Sequence, residues 1–253
     1  MALRRPSARS RVALPTEPMW LDGDLETAPL LVDAHTVLVH LAAHGVDLRG
    51  TWADCLRWNV QATMGLLDRA WAQGIRQFVI CGSCFEYGRC GEMYESIPAS
   101  SSLDPVGPYA ASKAAASLAA LAWALERPAT LMLLRPFHVF GEGEAEHRFW
   151  PSLRRAALAG ENFPMTPGEQ IRDFVPAEEV AAAFLAAATR LGERPAMVEI
   201  RNVGTGQPQT LLAFASAWWK HWQAPGRLQP SALAYRDGEV MRYVPDLRPH
   251  VLR

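Results

Sequence analysis

Long apolar runs are missing from this 253-residue chain. The richest stretch, Ala114 to Leu125, is short and mostly alanine, well under the roughly 20 apolar residues that cross a bilayer. Cysteine is scarce as well. Of the four, Cys81, Cys84 and Cys90 are grouped, a pattern that does not make the disulfide framework of a small secreted domain. A reducing cytoplasm is the expected compartment. Neither sign of charge dominates: 25 Lys and Arg face 26 Asp and Glu, a net charge of -1, so the basic surface of a nucleic-acid-binding protein is not expected. There is no internal repeat and no low-complexity linker. What remains, 49% hydrophobic and 20% charged residues, describes a globular chain with one large domain, or a main domain with a small appendage.

The first acid is Glu17, behind Arg4, Arg5, Arg9 and Arg11. Such a start can be an organellar transit peptide, but Pro6 and Pro15 interrupt any amphipathic helix there. From residue 36 onward, apolar runs alternate with helical periods. Thr36 to His40 reads as a buried strand, Trp52 to Gln73 as an amphipathic helix, Phe78 to Cys81 as a strand, and the Tyr109 segment as a helix followed by the strand Thr130 to Leu134. Strands alternating with helices imply an α/β fold, a doubly wound parallel sheet covered on both faces. Beyond Pro136 the texture is less regular. Helices are expected near Phe149 to Leu158, Ala177 to Arg190 and Leu211 to Trp222, with a strand at Met197 to Asn202, while Tyr235 to Arg253 has no clear period.

Tyr109 and Lys113, in Pro108-Tyr-Ala-Ala-Ser-Lys113, sit one turn apart on a helix face. An ammonium so placed is a candidate to depress the phenol's pKa from its ordinary value near ~10. A phenol tuned this way can exchange a proton with a hydroxyl/carbonyl pair while hydride moves elsewhere. The spacing is also common on solvated helices. Its neighbours at predicted strand ends change its weight, because ligands of open parallel sheets bind there: His40-Leu-Ala-Ala43, Gly82-Ser-Cys-Phe-Glu-Tyr-Gly88 and Arg135-Pro-Phe-His-Val-Phe-Gly141.

With Asn59-Val60, Arg172-Asp-Phe-Val175, Glu178-Glu-Val180 and Asn202-Val-Gly-Thr-Gly206, these segments closely resemble the extended short-chain dehydrogenase/reductase family, in its NAD(P)-dependent nucleotide-sugar epimerase/dehydratase branch. The resemblance implies a Rossmann-like fold. Residues 1–140 would be an incomplete dinucleotide-binding domain and 141–253 mainly a small mixed substrate lobe, with about 170–205 returning to the main domain. Ser83, Tyr109 and Lys113 would be catalytic, Lys113 also holding the nicotinamide ribose. Leu41, Ala42 and Ala43 would lie against the cofactor, the alanines allowing close backbone approach. Asn59, Arg135, Pro136 and Phe137 would complete the cofactor side. Ser83, Cys84, Phe85 and His138 would border the substrate, and Arg172 would grip its diphosphate. A two-fold homodimer through the Trp52 and Tyr109 helices is common in such proteins.

The chain departs from the pattern in three places. Dehydratases of this branch carry an acidic pair where Cys84 and Phe85 stand, so 4,6-dehydration is not expected, which leaves epimerisation or 4-ketoreduction. His138 and Phe140 replace an asparagine and a tyrosine in the third segment. No complete glycine-rich turn follows any strand, and Gly88-x-x-Gly91, Gly141-x-Gly143 and Gly204-x-Gly206 are partial and out of order. Met1 to Ser7 resembles the end of the family's second strand, and Leu21-Asp-Gly-Asp-Leu25 a later segment placing Asp24 and Leu25 near the adenine. The chain therefore reads as beginning about one strand-helix unit late, which also accounts for its basic start. Arg4 or Arg5 then stands where an arginine favours NADP over NAD. Two other readings stay open: a non-catalytic paralogue that binds a nucleotide sugar or a partner, and a reductase of a small non-sugar ketone. Cys81-Gly-Ser-Cys84 has no second ligand pair, so neither zinc nor redox chemistry is expected of it, and His40 and His44 read as packed or surface residues rather than ligands.

Overall fold

The computed structural model describes residues 1–5, 8–30, 32, 36–47, 49–191 and 196–252; Pro6 and Ser7 of the basic start lie outside them. Two short strands open the chain, β1 (Ala2–Arg4) and β2 (Trp20–Asp22), paired in parallel as a sheet of their own. Arg4 closes this pair, its Nε 2.9 Å from Asp22 and its guanidinium 4.7 Å from the Trp20 ring centre. Next comes β3 (Val37–His40).

The helical period from Trp52 is continuous but not uniform. It comprises α1 (Trp52–Cys55), capped by the Thr51 hydroxyl, a π-helical segment (Leu56–Gln61), and α2 (Ala62–Ala72). The single regular helix expected from the spacing is corrected here. Asn59, within the wider π turn, is buried, and all its contacts are to protein. Its Oδ1 accepts from the His44 amide at 2.7 Å, and its Nδ2 donates to the His44 carbonyl at 3.0 Å and to Ser112 Oγ at 2.9 Å. Those bonds are the physical compensation for the irregular turn. They also make Asn59 a tie that holds the loop after β3.

Then follow β4 (Gln77–Cys81), a 3₁₀ turn (Cys84–Tyr87), α3 (Gly107–Leu125) and β5 (Thr130–Pro136). The second half contains β6 (His138–Phe140), α4 (Phe149–Ala159), β7 (Phe163–Pro164), β8 (Ile171–Arg172), β9 (Phe174–Pro176) and α5 (Ala177–Leu191). It ends with β10 (Val198–Val203), β11 (Gln209–Thr210), α6 (Leu211–His221), β12 (Leu228–Gln229), β13 (Arg242–Tyr243) and β14 (His250–Leu252).

The main sheet runs β14-β10-β5-β4-β3, parallel except for β14, which is antiparallel to β10. The aperiodic tail thus supplies both an edge strand and β13. A three-residue edge pairs through backbone alone, with Val198 to Ile200 here, and needs no side-chain period to do so. β5 is buried along its whole length, which explains its unbroken apolar run. On one face Phe78, Leu131 and Leu133 pack against Leu67, Leu121 and Trp123 of α2 and α3; on the other, Val79, Met132 and Leu134 pack against Phe184 and Leu191 of α5. Each such buried side chain contributes about 1.5–3 kcal/mol relative to exposure. The remaining elements build a lobe in which α4 and α6 pack through Leu153, Ala157, Ala215 and Trp219. Within it Phe174 stacks on Phe214 at 3.9 Å between ring centroids.

Candidate active site

Chain direction brings the loops after β3, β4 and β5 to the carboxyl edge of the sheet. Tyr109 lies in the first turn of α3, which has Pro108 at its start, where the missing amide costs nothing. Lys113, one turn further and 5% exposed, donates from Nζ to the Cys81 carbonyl at the end of β4, 2.5 Å away. Ser83 caps the 3₁₀ turn after β4: its Oγ accepts from the Phe85 amide at 3.2 Å and its own amide donates to Glu86 Oε1 at 2.8 Å. The Ser83 side chain acts on the Tyr109 phenol, favouring its ionised form. Ser83, Tyr109 and Lys113 are thus brought together.

Burial holds the Tyr109 pKa well above its ordinary value, with Cys81, Cys84 and Glu86 adding to the rise and Ser83 opposing it. The depression expected from Lys113 is corrected: its ammonium is directed at the Cys81 carbonyl, and the phenol keeps its proton. Lys113 acts electrostatically on His40. That imidazole is buried, with Nε2 2.9 Å from Thr63 Oγ1. Burial first, and then the Lys113 charge, bring its pKa down to about 4.

His40 therefore carries a pH dependence. Unfolded, it titrates near ~6.5. Between that value and about 4 the unfolded chain binds a proton that the folded chain does not, so stability falls as pH falls through this window, by roughly 3 kcal/mol. Urea midpoints measured from pH 7 to pH 4.5 are expected to drop more steeply in the natural protein than in His40→Gln. Parallel curves for the two proteins would contradict this assignment.

A cavity of about 790 Å³ opens beside the phenol, with Phe85, His138, Arg172, Phe174 and Tyr243 in its wall. Phe85 meets Tyr109 edge-on at 6.5 Å and His138 at 5.9 Å. Burial pushes the Cys84 thiol up to about 12 and lowers the His138 imidazole well below its usual range, so both are uncharged at neutral pH. Cys81 and Cys84 are free thiols.

Arg172, 7% exposed, faces the cavity already partnered: Nη2 donates to Glu239 Oε1 at 2.8 Å and to the Val240 carbonyl at 2.6 Å. Asp173 does not pair with it. Asp173 Oδ1 accepts from the Thr205 amide at 2.9 Å and the Thr205 hydroxyl at 2.8 Å, and Oδ2 accepts from the Gly206 amide at 2.6 Å, which ties down the segment after β10. The Arg135 guanidinium turns into the core, with Nε 2.8 Å from Glu86 Oε2 and Nη1 3.0 Å from the Tyr87 hydroxyl, and so braces the Ser83 turn. Pro136 is buried at the end of β5, and the Phe137 ring packs with Cys84, Tyr87 and Tyr243.

Leu41, Ala42 and Ala43 lie exposed just after β3. They follow His40, on which the Lys113 charge acts, so this open backbone stands at the same edge of the sheet as Lys113. The adenine-side residues are engaged locally: Asp24 Oδ1 accepts from the Glu26 and Thr27 amides and the Thr27 hydroxyl, and Arg69 donates to the Leu25 carbonyl. Arg4 is paired with Asp22, whereas Arg5 is exposed. No glycine-rich turn for a pyrophosphate occurs among the described residues. Cavity residues that sequence reasoning missed are Glu144, Arg148, Arg236 and Glu239. The one signal for the last two was a charge cluster, Arg236-Asp-Gly-Glu239, in an aperiodic tail.

A mostly parallel sheet wrapped on both faces, with Ser83, Tyr109 and Lys113 at its carboxyl edge, defines a Rossmann-like fold. Residues 3–204 match the profile of the NAD dependent epimerase/dehydratase family, and the chain belongs to that family. It is similar to a dTDP-L-rhamnose 4-epimerase of Burkholderia thailandensis, 30% identical over 149 residues, covering 56% of this chain and 39% of that protein. A dTDP-glucose 4,6-dehydratase of Streptomyces niveus is 26% identical over 231 residues, 88% of this chain and 62% of the relative. The chain thus spans between 39% and 62% of the length of these two curated relatives. Among solved structures, MoeE5 in complex with UDP-glucose and NAD superposes with a TM-score of 0.76 at 26% identity, over 94% of this chain and 80% of that one.

Proposed function

We propose that this chain carries the acid/base and substrate-binding machinery of an NAD(P)-dependent epimerase or 4-ketoreductase of a nucleotide-activated sugar. The observation that carries this reading is the contact of the Tyr109 ring with Phe85 of a cavity walled by aromatic rings and Arg172, with Lys113 one turn away and Ser83 acting on the phenol. Bound nicotinamide supplies hydride transfer. The protein's own share is proton handling: Ser83 orients the sugar oxygen, and Tyr109, protonated in the free protein, gives its proton to the oxygen of a 4-keto sugar. In the oxidative direction the phenolate takes the hydroxyl proton. Arg172 and Arg236 face the diphosphate. Cys84 and Phe85, neither of them acidic at neutral pH, leave no group to protonate a departing 6-hydroxyl, which supports epimerisation or reduction over dehydration. Residues 1–140 take the cofactor side and 141–253 mainly the substrate, with α5 and β10 packed back on the main sheet.

NADP is the favoured form on the strength of exposed Arg5, and a cytoplasmic site agrees with the free thiols. No helix among the described residues is long and apolar enough to cross a membrane. The test is incubation with NAD or NADP and UDP- or dTDP-hexoses, including 4-keto sugars, followed by product analysis. Conversion at C4 supports the reading; its absence despite saturable binding of UDP-glucose supports a second one, a nucleotide-sugar-binding protein without redox chemistry.

A homodimer is proposed through α3 and the helix formed by α1 and the π-helical segment that continues it. Trp52 and Leu56 are 55% and 45% exposed, and Leu118 and Leu125 of α3 are 57% and 48% exposed. Exposed leucines in two neighbouring helices suit a helix-to-helix contact between two copies. Sedimentation is expected to give a dimer that Leu118→Glu converts to monomer; a monomeric natural protein would remove the proposal.

A further inference from the structure

Among the described residues, six buried side-chain atoms lack a hydrogen-bond partner, and four of them belong to residues lining the cavity beside Tyr109: His138 Nδ1, Glu144 Oε2, Trp150 Nε1 and Gln170 Oε1. Buried polar atoms are nearly always satisfied, so a cluster of unsatisfied ones around a single cavity marks where ligand atoms complete the set. Gln170 and Trp150 are only 4% and 8% exposed. Two of the four atoms, on Glu144 and Gln170, only accept; the Trp150 indole only donates.

Glu144 is the charged member. Its Oε1 accepts from Arg148 Nε at 3.2 Å, and Arg148 Nη1 reaches the Val46 carbonyl at 3.3 Å, in the loop after β3. Arg148 is therefore tied to both Glu144 and the main sheet's loop, while Glu144 Oε2 stays free. The Arg148 charge acts on both Cys84 and His138, and His138 meets the same Phe85 ring as Tyr109. A ligand group arriving there meets a carboxylate oxygen needing a proton donor, an uncharged thiol and an uncharged imidazole.

We propose that Glu144 sets sugar specificity, its free oxygen accepting a hydroxyl hydrogen from a neutral nucleotide-linked hexose and disfavouring a hexuronic acid in the same position. This rests on the nucleotide-sugar reading above. A sugar hydroxyl satisfies the buried acceptor. A sugar carboxylate brings no proton and adds like charge in a partly desolvated site, which costs affinity. Trp150 and Gln170 complete the recognition with one donor and one acceptor.

The experiment is calorimetric titration of the protein with UDP, UDP-glucose and UDP-glucuronic acid, repeated with Glu144→Gln. Natural protein is expected to bind UDP-glucose at least about tenfold tighter than UDP-glucuronic acid, and Glu144→Gln to bring that ratio close to one. The ratio in the natural protein is decisive even if the variant fails to fold. Equal or tighter binding of UDP-glucuronic acid, with UDP itself bound, overturns the role of Glu144 and leaves the nucleotide-sugar reading standing. No binding of UDP or of either sugar nucleotide removes that reading, and this inference with it.

Discussion

Tyr109→Phe is expected to lower the rate of sugar conversion by roughly 10²–10⁴-fold, the usual contribution of a positioned proton donor. The substitution removes one oxygen, the one on which Ser83 acts. The ring stays, so its edge contact with Phe85 at 6.5 Å is retained and the cavity wall keeps its shape. The loss therefore belongs in the rate of the chemical step, with UDP-glucose affinity changed little. Because burial holds this phenol protonated well past neutrality, reduction of a 4-keto sugar should stay fast across neutral pH, while oxidation of a hydroxyl should need substrate and cofactor to shift the phenol first. Single-turnover rates in both directions measure this. A variant that converts sugar at the natural rate would take Tyr109 out of the chemistry.

Arg135→Ala is expected to cost about 3–5 kcal/mol of stability, the usual effect of leaving one member of a buried ion pair alone. Glu86 is fully buried and Arg135 2% exposed, with 2.8 Å between Nε and Oε2. The network is shared. The Tyr87 hydroxyl donates to Asn202 Oδ1 at 2.6 Å, and Asn202 Nδ2 donates to the Ile97 and Asp246 carbonyls at 2.8 and 3.0 Å. Gly82 is part of the same arrangement, since an added Cβ would lie 2.7 Å from Glu86 Oε1 and 2.9 Å from Arg135 Cγ. Thermal unfolding should fall by roughly 10 °C in a chain of this size. Adding Glu86→Gln to Arg135→Met should recover part of the loss, because the stranded charge is then gone. A single variant within about 1 kcal/mol of the natural protein would show that water or another cation reaches Glu86.

The two experiments concern residues of unequal legibility. Tyr109, Lys113 and Ser83 could be read from the chain because each follows a predicted strand or opens a predicted helix, and strand ends converge in a parallel sheet. Arg135 was visible as a motif residue, but nothing along the chain says whether a guanidinium after a buried strand points to ligand or core. Glu86 decides that, 49 residues away in sequence. Glu239 and Glu144 stood in segments without period, Glu239 marked by no more than a charge cluster. Each acquired a role only when folding set it beside Arg172 or the cavity.

Sequence alone determined the alternating elements, the doubly wound class and the family, since apolar periods and strand-end motifs are local properties of the chain. Tertiary structure alone decided the charge state of Tyr109, the partners of Arg172 and Arg135, the inward turn of Asn59 and the edge strand built from the tail. The physical reason is that desolvation and pairing depend on what lies within a few ångströms in space, and the neighbours that matter here come from residues far apart along the chain.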